Sequence, residues 1–190
     1  LPEGEEEGAK SSVNLVMVNT ISPYYLVRYQ GPLAVNVLSE YVERKVQEVS
    51  AHRVDMQADY DDISLKEGLS VEESFRLAVI EAVDKICEIS QEGPTVVGLS
   101  IKWAAVEVAK TIIEGVRNGA QEEILYVLGN IGATFGYEDL LTIDPFQGAI
   151  AVVGEGEEAL SRIVARAVNQ NGGFSNASSY ADIPNVAVNI

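Results

Sequence analysis

The 190 residues are 47% hydrophobic and 22% charged, enough for one well-buried core, and a single domain is expected. A formal net charge of -16 argues against nucleic acid and anionic membrane surfaces as partners, since both recruit clustered Lys and Arg. The single cysteine, Cys87, can neither close an internal disulfide nor build a zinc or iron–sulfur site alone, and no apolar run approaches membrane-spanning length, which together point to the cytoplasm.

Residues 1–12, with Gly4-Glu5-Glu6-Glu7-Gly8, hold too little apolar content to pack and read as a disordered acidic leader. The opening on Leu1 suggests a processed or excised piece of something longer. Val13 to Val18 reads as a strand ended by Asn19, and the helical spacing of Leu33, Val37, Leu38, Tyr41, Val42, Val46 and Val49 predicts a helix after it. Val54 and Met56 mark a weaker second strand, followed by an acidic loop containing Asp59, Asp61 and Asp62. Ser70-Val71-Glu72-Glu73 is a capping box that opens a helix through Phe75, Val79, Val83 and Ile86. Strand three spans Thr95 to Ile101, a helix Val106 to Val116 with Gly119 just past its end, and strand four Ile124 to Leu128. A short helix around Tyr137 to Leu141, a fifth strand over Ala149 to Val153 and a helix over Glu157 to Val168 complete the alternation. The tail from Asn169 to Ile190, rich in Asn, Gly and Ser, reads as a connector towards a further domain.

Strands that are apolar nearly throughout, alternating with helices over residues 13–168, predict a doubly wound α/β fold with a five-stranded parallel sheet of order 2-1-3-4-5 and helices on both faces. In that topology ligands sit over the C-terminal strand ends beside the switch point between strands one and three, at the loops Asn19 to Pro32 and Ser100 to Trp103. Three strand ends there are small or polar: Gly98-Leu99-Ser100, Leu128-Gly129-Asn130, and Val153 running into Gly154-Glu155-Gly156-Glu157. The first loop concentrates Tyr24, Tyr25, Tyr29 and Arg28, and Lys102 and Trp103 stand opposite, so the crevice suits a large planar ligand better than a phosphate.

Other constellations carry less. Gly154-Glu155-Gly156-Glu157-Glu158-Ala159 matches the dinucleotide pattern G-x-G-x-x-A, but Glu155 and Glu157 put negative charge where a pyrophosphate must bind, and no later strand supplies the ribose-binding acid. Acidic residues that complement a helix dipole explain it better. His52, the only histidine, is expected at the N-terminal edge of strand two, a strand length or about 17–20 Å from the crevice. Cys87 reads as a helix core residue, and the three aspartates as a solvated loop lacking the glycine and distal glutamate of a calcium site.

Taken in order, Asn19 to Pro32 followed by Leu33-Ala34-Val35-Asn36-Val37-Leu38, then Val97-Gly98-Leu99-Ser100, Val127-Leu128-Gly129 with Ala133-Thr134, and Val153 to Leu160 resemble the N-terminal cobalamin-binding domain of cobalamin-dependent radical S-adenosylmethionine enzymes. The resemblance covers nearly all of residues 13–168. It implies a flavodoxin-like domain that holds and tunes a cobalamin over the sheet's C-terminal edge for methyl transfer or rearrangement. The nucleotide tail would then run into the cleft near Ser100, Gly129 and Gly154, with Asn130, Gly132, Ala133, Thr134, Glu155, Gly156 and Glu157 also binding the cofactor. Asn19, Tyr24, Tyr25, Arg28, Lys102 and Trp103 would meet the corrin, with Lys102-Trp103 or the tyrosine loop under cobalt.

Three departures bear on that likeness. Asn19-Thr20-Ile21-Ser22-Pro23-Tyr24 stands where methionine-synthase-type domains carry D-x-H-x-x-G, so that loop supplies no axial histidine. Asn130 replaces a second glycine and still tolerates positive φ. The C-x-x-x-C-x-x-C of the radical cluster is absent, so the iron–sulfur cluster and S-adenosylmethionine would belong to a missing domain, acting in cis or in trans, and no catalytic residue is assigned here. Two other classes stay open: a flavodoxin-like interaction module without ligand, and a small flavin- or nucleotide-binding protein.

Overall fold

The computed structural model describes residues 12–21, 33–174 and 176–189, the side chains of residues 66, 67 and 103 aside. The acidic leader expected over residues 1–12 therefore lies, Ser12 excepted, outside the described residues.

Side-chain alternation along β1 (Val13–Asn19) sets the layers. Val13, Leu15 and Met17 enter one core and Val16 and Val18 the other, so the strand is buried on both faces. α1 (Leu33–Lys45) crosses to β2 (Val49–Asp55), and α2 (Met56–Glu67) and α3 (Val71–Ser90) lead to β3 (Thr95–Ser100). A 3-10 turn at Trp103–Ala105 precedes α4 (Val106–Gly119), then follow β4 (Ile124–Gly129), α5 (Asn130–Leu140), β5 (Ile150–Val152) and α6 (Glu157–Asn169). The parallel order 2-1-3-4-5 is the predicted one. α1 and α6 cover one face, where Val35, Val42, Ile163 and Val164 meet Leu15, Leu125 and Ile150. α3 and α4 cover the other through Ala78, Ile86, Ile112 and Ile113.

Local signals end the helices as physical chemistry requires. Ser70 Oγ accepts from the Glu73 amide at 3.2 Å while Glu73 Oε2 accepts from the Ser70 amide at 3.1 Å, closing the capping box. The Ser70 hydroxyl, 2.6 Å from Glu73 Oε2, and then the Ser70 amide hold the exposed Glu73 carboxyl below its ordinary range. Among the described residues, no helix is long and apolar enough to cross a membrane.

Three expectations are corrected. The acidic stretch is a helix, α2, not a loop: Asp55 caps it, Asp61 accepts from Gln57 Nε2 one turn away, Asp59 receives Lys85 Nζ at 2.8 Å, and Gly68 closes it at φ 60°. His52 lies halfway along β2, paired in register with Val16, rather than at the strand's beginning.

Among the described residues the sheet has six strands, not five. The tail expected as a connector forms a 3-10 turn (Ala177–Tyr180) and β6 (Val186–Val188), antiparallel to β5 with Ile150 opposite Val188. Arg166 of α6 secures it, binding both carboxylate oxygens of Asp182 and the Ser179 carbonyl and lying 5.6 Å over the Tyr180 ring. Tyr180 itself is fully buried, and its hydroxyl donates to Gln170 Oε1. Replacing Tyr180 with Ala is expected to cost about 3 kcal/mol in urea unfolding, as for a large core aromatic. A loss under about 1 kcal/mol would mean that the tail unfolds separately from the sheet.

Candidate functional site

The sheet's C-terminal edge loses side-chain volume on its α1/α6 face. Across the strands Met17, Gly98 and Val127 are register neighbours, and Gly98 contributes no Cβ between them. Met17 leans into the gap: a Cβ on Gly98 would stand 2.5 Å from its Sδ. One step further, Asn19, Ser100 and Gly129 are neighbours, and Gly129 again offers no side chain. Strands this bare cannot fill the space beneath two helices, and a cleft of about 460 Å³ results, within the range of small-molecule sites.

Met17, Gly98, Val127 and Val152 form its floor. Leu33, Ala34, Val35 and Leu38 of α1 wall one side, and Leu160 of α6 with the turn Gly154 to Glu157 the other. The two helices are tied across it: Gly156 lets Leu38 approach within 3.5 Å of where its Cβ would be, and Tyr41 Oη donates to Glu158 Oε2 at 3.2 Å. Arg162 donates to the other Glu158 oxygen at 2.7 Å, and these partners hold that exposed carboxyl below its ordinary range. The first turn of α6 thus carries two acidic residues, Glu157 and Glu158.

Polar groups gather at the strand ends. Asn130 takes φ 76°, the left-handed conformation expected of it. Its Nδ2 donates to Ser100 Oγ at 2.8 Å and its Oδ1 accepts from the Ile131 amide at 2.6 Å. Thr134 Oγ1 donates to the Asn130 carbonyl and accepts from the Gly154 amide at 3.1 Å, fastening the β5–α6 turn to α5. The Ser100 carbonyl accepts from Thr20 Oγ1, which joins the ends of β1 and β3.

Of the sequence-predicted residues, Ser100, Gly129, Asn130, Gly154, Glu155, Gly156 and Glu157 line the cleft together. Gly132 and Ala133 do not. Gly132 donates its amide to the Ile101 carbonyl at 2.9 Å, and a Cβ there would lie 2.8 Å from that oxygen; Ala133 is buried in the core of the opposite face. Asn19 is turned to β2, its Nδ2 donating to Asp55 Oδ1 at 3.0 Å, and Lys102 is exposed outside the cleft lining. Tyr24, Tyr25 and Arg28 lie outside the described residues, as does the side chain of Trp103. Sequence reasoning missed Met17, Val127, Val152, Leu160 and the α1 wall, which carry the same apolar periodicity as core. The one signal available was Gly98, a side chain missing from an otherwise continuous apolar strand.

His52 and Cys87 stay apart from this site. His52 Nε2 lies 3.2 Å from Ser50 Oγ on the edge strand, and burial pushes the Cys87 thiol up in α3. Among the described residues, no group of three or more His, Cys, Asp or Glu could hold a metal ion.

The two glycines of the β4–α5 junction therefore have separable roles. Gly129 has extended backbone (φ -136°) and open space where a Cβ would be, so Gly129→Val is expected to keep the urea midpoint within the equivalent of about 1 kcal/mol. Gly132→Ala must push against the Ile101 backbone and is expected to cost about 1–3 kcal/mol. Equal midpoint shifts for both variants would count against this separation.

A search of curated proteins finds no match. The fold is similar to that of TsrM, a radical S-adenosylmethionine methyltransferase from Kitasatospora setae solved with cobalamin and a 4Fe–4S cluster (20% identity, TM-score 0.59, 95% of this chain and 27% of that one). It is also similar to OxsB, a cobalamin-dependent S-adenosylmethionine radical enzyme solved with aqua-cobalamin and S-adenosylmethionine (15% identity, TM-score 0.62, 94% of this chain and 21% of that one). The chain thus spans about a quarter of the length of either structure. The model of the B12 binding domain matches residues 29–164, which include the α1 wall and the ends of β3, β4 and β5 at the cleft, and the chain belongs to the B12-binding domain family.

Proposed function

We propose that this chain holds a cobalamin over the C-terminal end of its sheet for a radical S-adenosylmethionine enzyme, whose cluster and S-adenosylmethionine are carried by another domain or by a partner chain. The observation that carries this reading is the apolar, glycine-floored cleft at the strand ends of a B12-binding domain. The residues present fit the group: the cleft is apolar where a heterocyclic base needs burial, polar at Ser100 and Asn130, and open at Gly129 and Gly154. Its volume of about 460 Å³ suits a base and its sugar rather than a whole corrinoid, leaving the macrocycle to the mouth. Asn19, Tyr24, Tyr25, Arg28, Lys102 and Trp103 are the residues that the family resemblance assigns to the macrocycle.

Bound cobalamin supplies cobalt-centred methyl-transfer or rearrangement chemistry. The chain's own work is to bind, orient and shield. One cysteine cannot provide the three thiolates of a radical cluster, which supports a division of labour with a second domain, and a cytoplasmic setting fits that lone thiol. Glu155 and Glu157 at the rim disfavour doubly charged phosphate cofactors and so count against the flavin or nucleotide alternative.

Equilibrium dialysis against hydroxocobalamin tests the reading. The chain is expected to retain corrin absorbance, Gly129→Val to lose it with unchanged circular dichroism, and Ser100→Ala to weaken binding by about 0.5–1.5 kcal/mol, the worth of one neutral hydrogen bond. No association at high cobalamin concentration would sink the proposal and favour a ligand-free interaction module.

Cobalt is expected to take no histidine from this chain, because His52 sits mid-strand on the sheet edge beside Ser50. Electron paramagnetic resonance of the cobalt(II) form should then be identical in wild type and His52→Ala. Nitrogen superhyperfine splitting that vanishes in the variant would contradict this assignment.

A further inference from the structure

We infer that Met17 is an oxidation site built into the floor of the cleft: a hydroperoxide that enters the empty cleft converts its thioether to the sulfoxide, and the polar floor that results weakens corrinoid binding. This rests on the reading of the cleft as a corrinoid site and goes beyond it by making occupancy sensitive to oxidant.

The chain has two methionines, and the fold treats them oppositely. Met56 opens α2 and is wholly buried in the core on the α3/α4 face. Met17 belongs to the other face and lines the cleft, with 4% of it exposed. Its sulfur lies where a side chain on Gly98 would begin, 2.5 Å from that absent Cβ, and Gly98 is itself part of the lining. The thioether is therefore spread over a bare strand instead of being enclosed by side chains on every side. Hydrogen peroxide is far smaller than a cleft of about 460 Å³, so it reaches Met17 by diffusion, whereas reaching Met56 requires the core to open.

In the reaction a sulfur lone pair attacks the terminal peroxide oxygen. The S–O bond forms as the O–O bond breaks, and the hydroxyl proton passes to the departing oxygen, so sulfur loses two electrons and the hydroperoxide leaves as an alcohol, or as water from hydrogen peroxide. An apolar, adaptable side chain becomes one that carries a strong acceptor oxygen. While the cleft is empty, water solvates that oxygen. A seated ligand strips the water away, and Leu38, Val127, Val152 and Leu160, which share the lining, have no donor to replace it. Ser100 and Asn130, which have donors, stand at the strand ends, at least two residues beyond the level of Met17 and Gly98.

The test treats the full chain with graded hydrogen peroxide and removes the excess with catalase. Peptide mass spectrometry then locates the sulfoxide, and equilibrium dialysis measures hydroxocobalamin affinity. Met17 is expected to be converted while Met56 is still intact, with the urea midpoint unchanged. Affinity is expected to fall at least about fivefold, the low end of what an unpaired buried polar group costs. The double variant Cys87→Ala, Met56→Leu leaves Met17 as the one sulfur and is expected to lose affinity in the same proportion. In Met17→Leu, treated and untreated protein should bind alike, whatever the basal affinity of that variant. Oxidation of Met56 as early as Met17, or a sulfoxide at Met17 with affinity unchanged, would overturn the inference. So would a weakening that persists in Met17→Leu, or one that comes with a lowered urea midpoint, since the damage would then be to the core. Failure of the untreated chain to bind hydroxocobalamin would instead overturn the functional reading itself, and the inference with it.

Discussion

Everything about this molecule's site depends on one constraint: a parallel sheet must be covered on both faces, yet near its C-terminal end the α1/α6 face has too few side chains to fill the gap. Gly98 withholds a Cβ at the middle strand, and Gly129 does so two residues beyond on the next. Helices resting on full-sized residues lower down, Leu15, Val96 and Leu125, cannot sink into the vacant upper part without losing that packing. The cleft is therefore a by-product of good packing below it, and its shape is as fixed as the core that holds the helices apart.

The opposite face shows the contrast. There Val97, Leu99, Tyr126 and Leu128 are unbroken, and α3 and α4 lie flat against them. Gly132 serves this closed arrangement, bringing α5 against the Ile101 carbonyl. Glycines within one short junction thus do opposite things, one opening a space and one permitting a close approach, and chain proximity alone does not tell them apart.

That explains which parts were legible in the sequence. The parallel order, the capping box at Ser70 and the left-handed Asn130 follow from periodicity and local chemistry, which are properties of short windows. The helix α2 was hidden because its acidic residues resemble solvated loop, while the pairing that supports it, Asp59 with Lys85, spans 26 residues. β6 was hidden for a related reason: three residues with half-buried side chains become a strand only because β5 offers an edge, and Arg166 reaches over to fix the turn before it. At the site, the polar and glycine strand ends could be read, while Met17, Val127 and Leu38 could not, since an apolar residue facing a cleft and one facing a core look alike in one dimension. Gly132 and Ala133 were drawn in by motif order and belong to packing.

The tie between the cleft's two walls has a further consequence. Tyr41 bonded to Glu158, together with Leu38 set against Gly156, makes α1 and α6 one unit rather than two jaws. A bulky guest cannot enter by prying them apart without breaking contacts along both helices. Between the first turn of α1 and the Gly154 turn, the left-handed backbone at Gly154 (φ 83°) is fastened through its amide to Thr134 Oγ1, and the Val153 amide before it bonds the Asn185 carbonyl. The walls, held together as one unit, fix what fits between them.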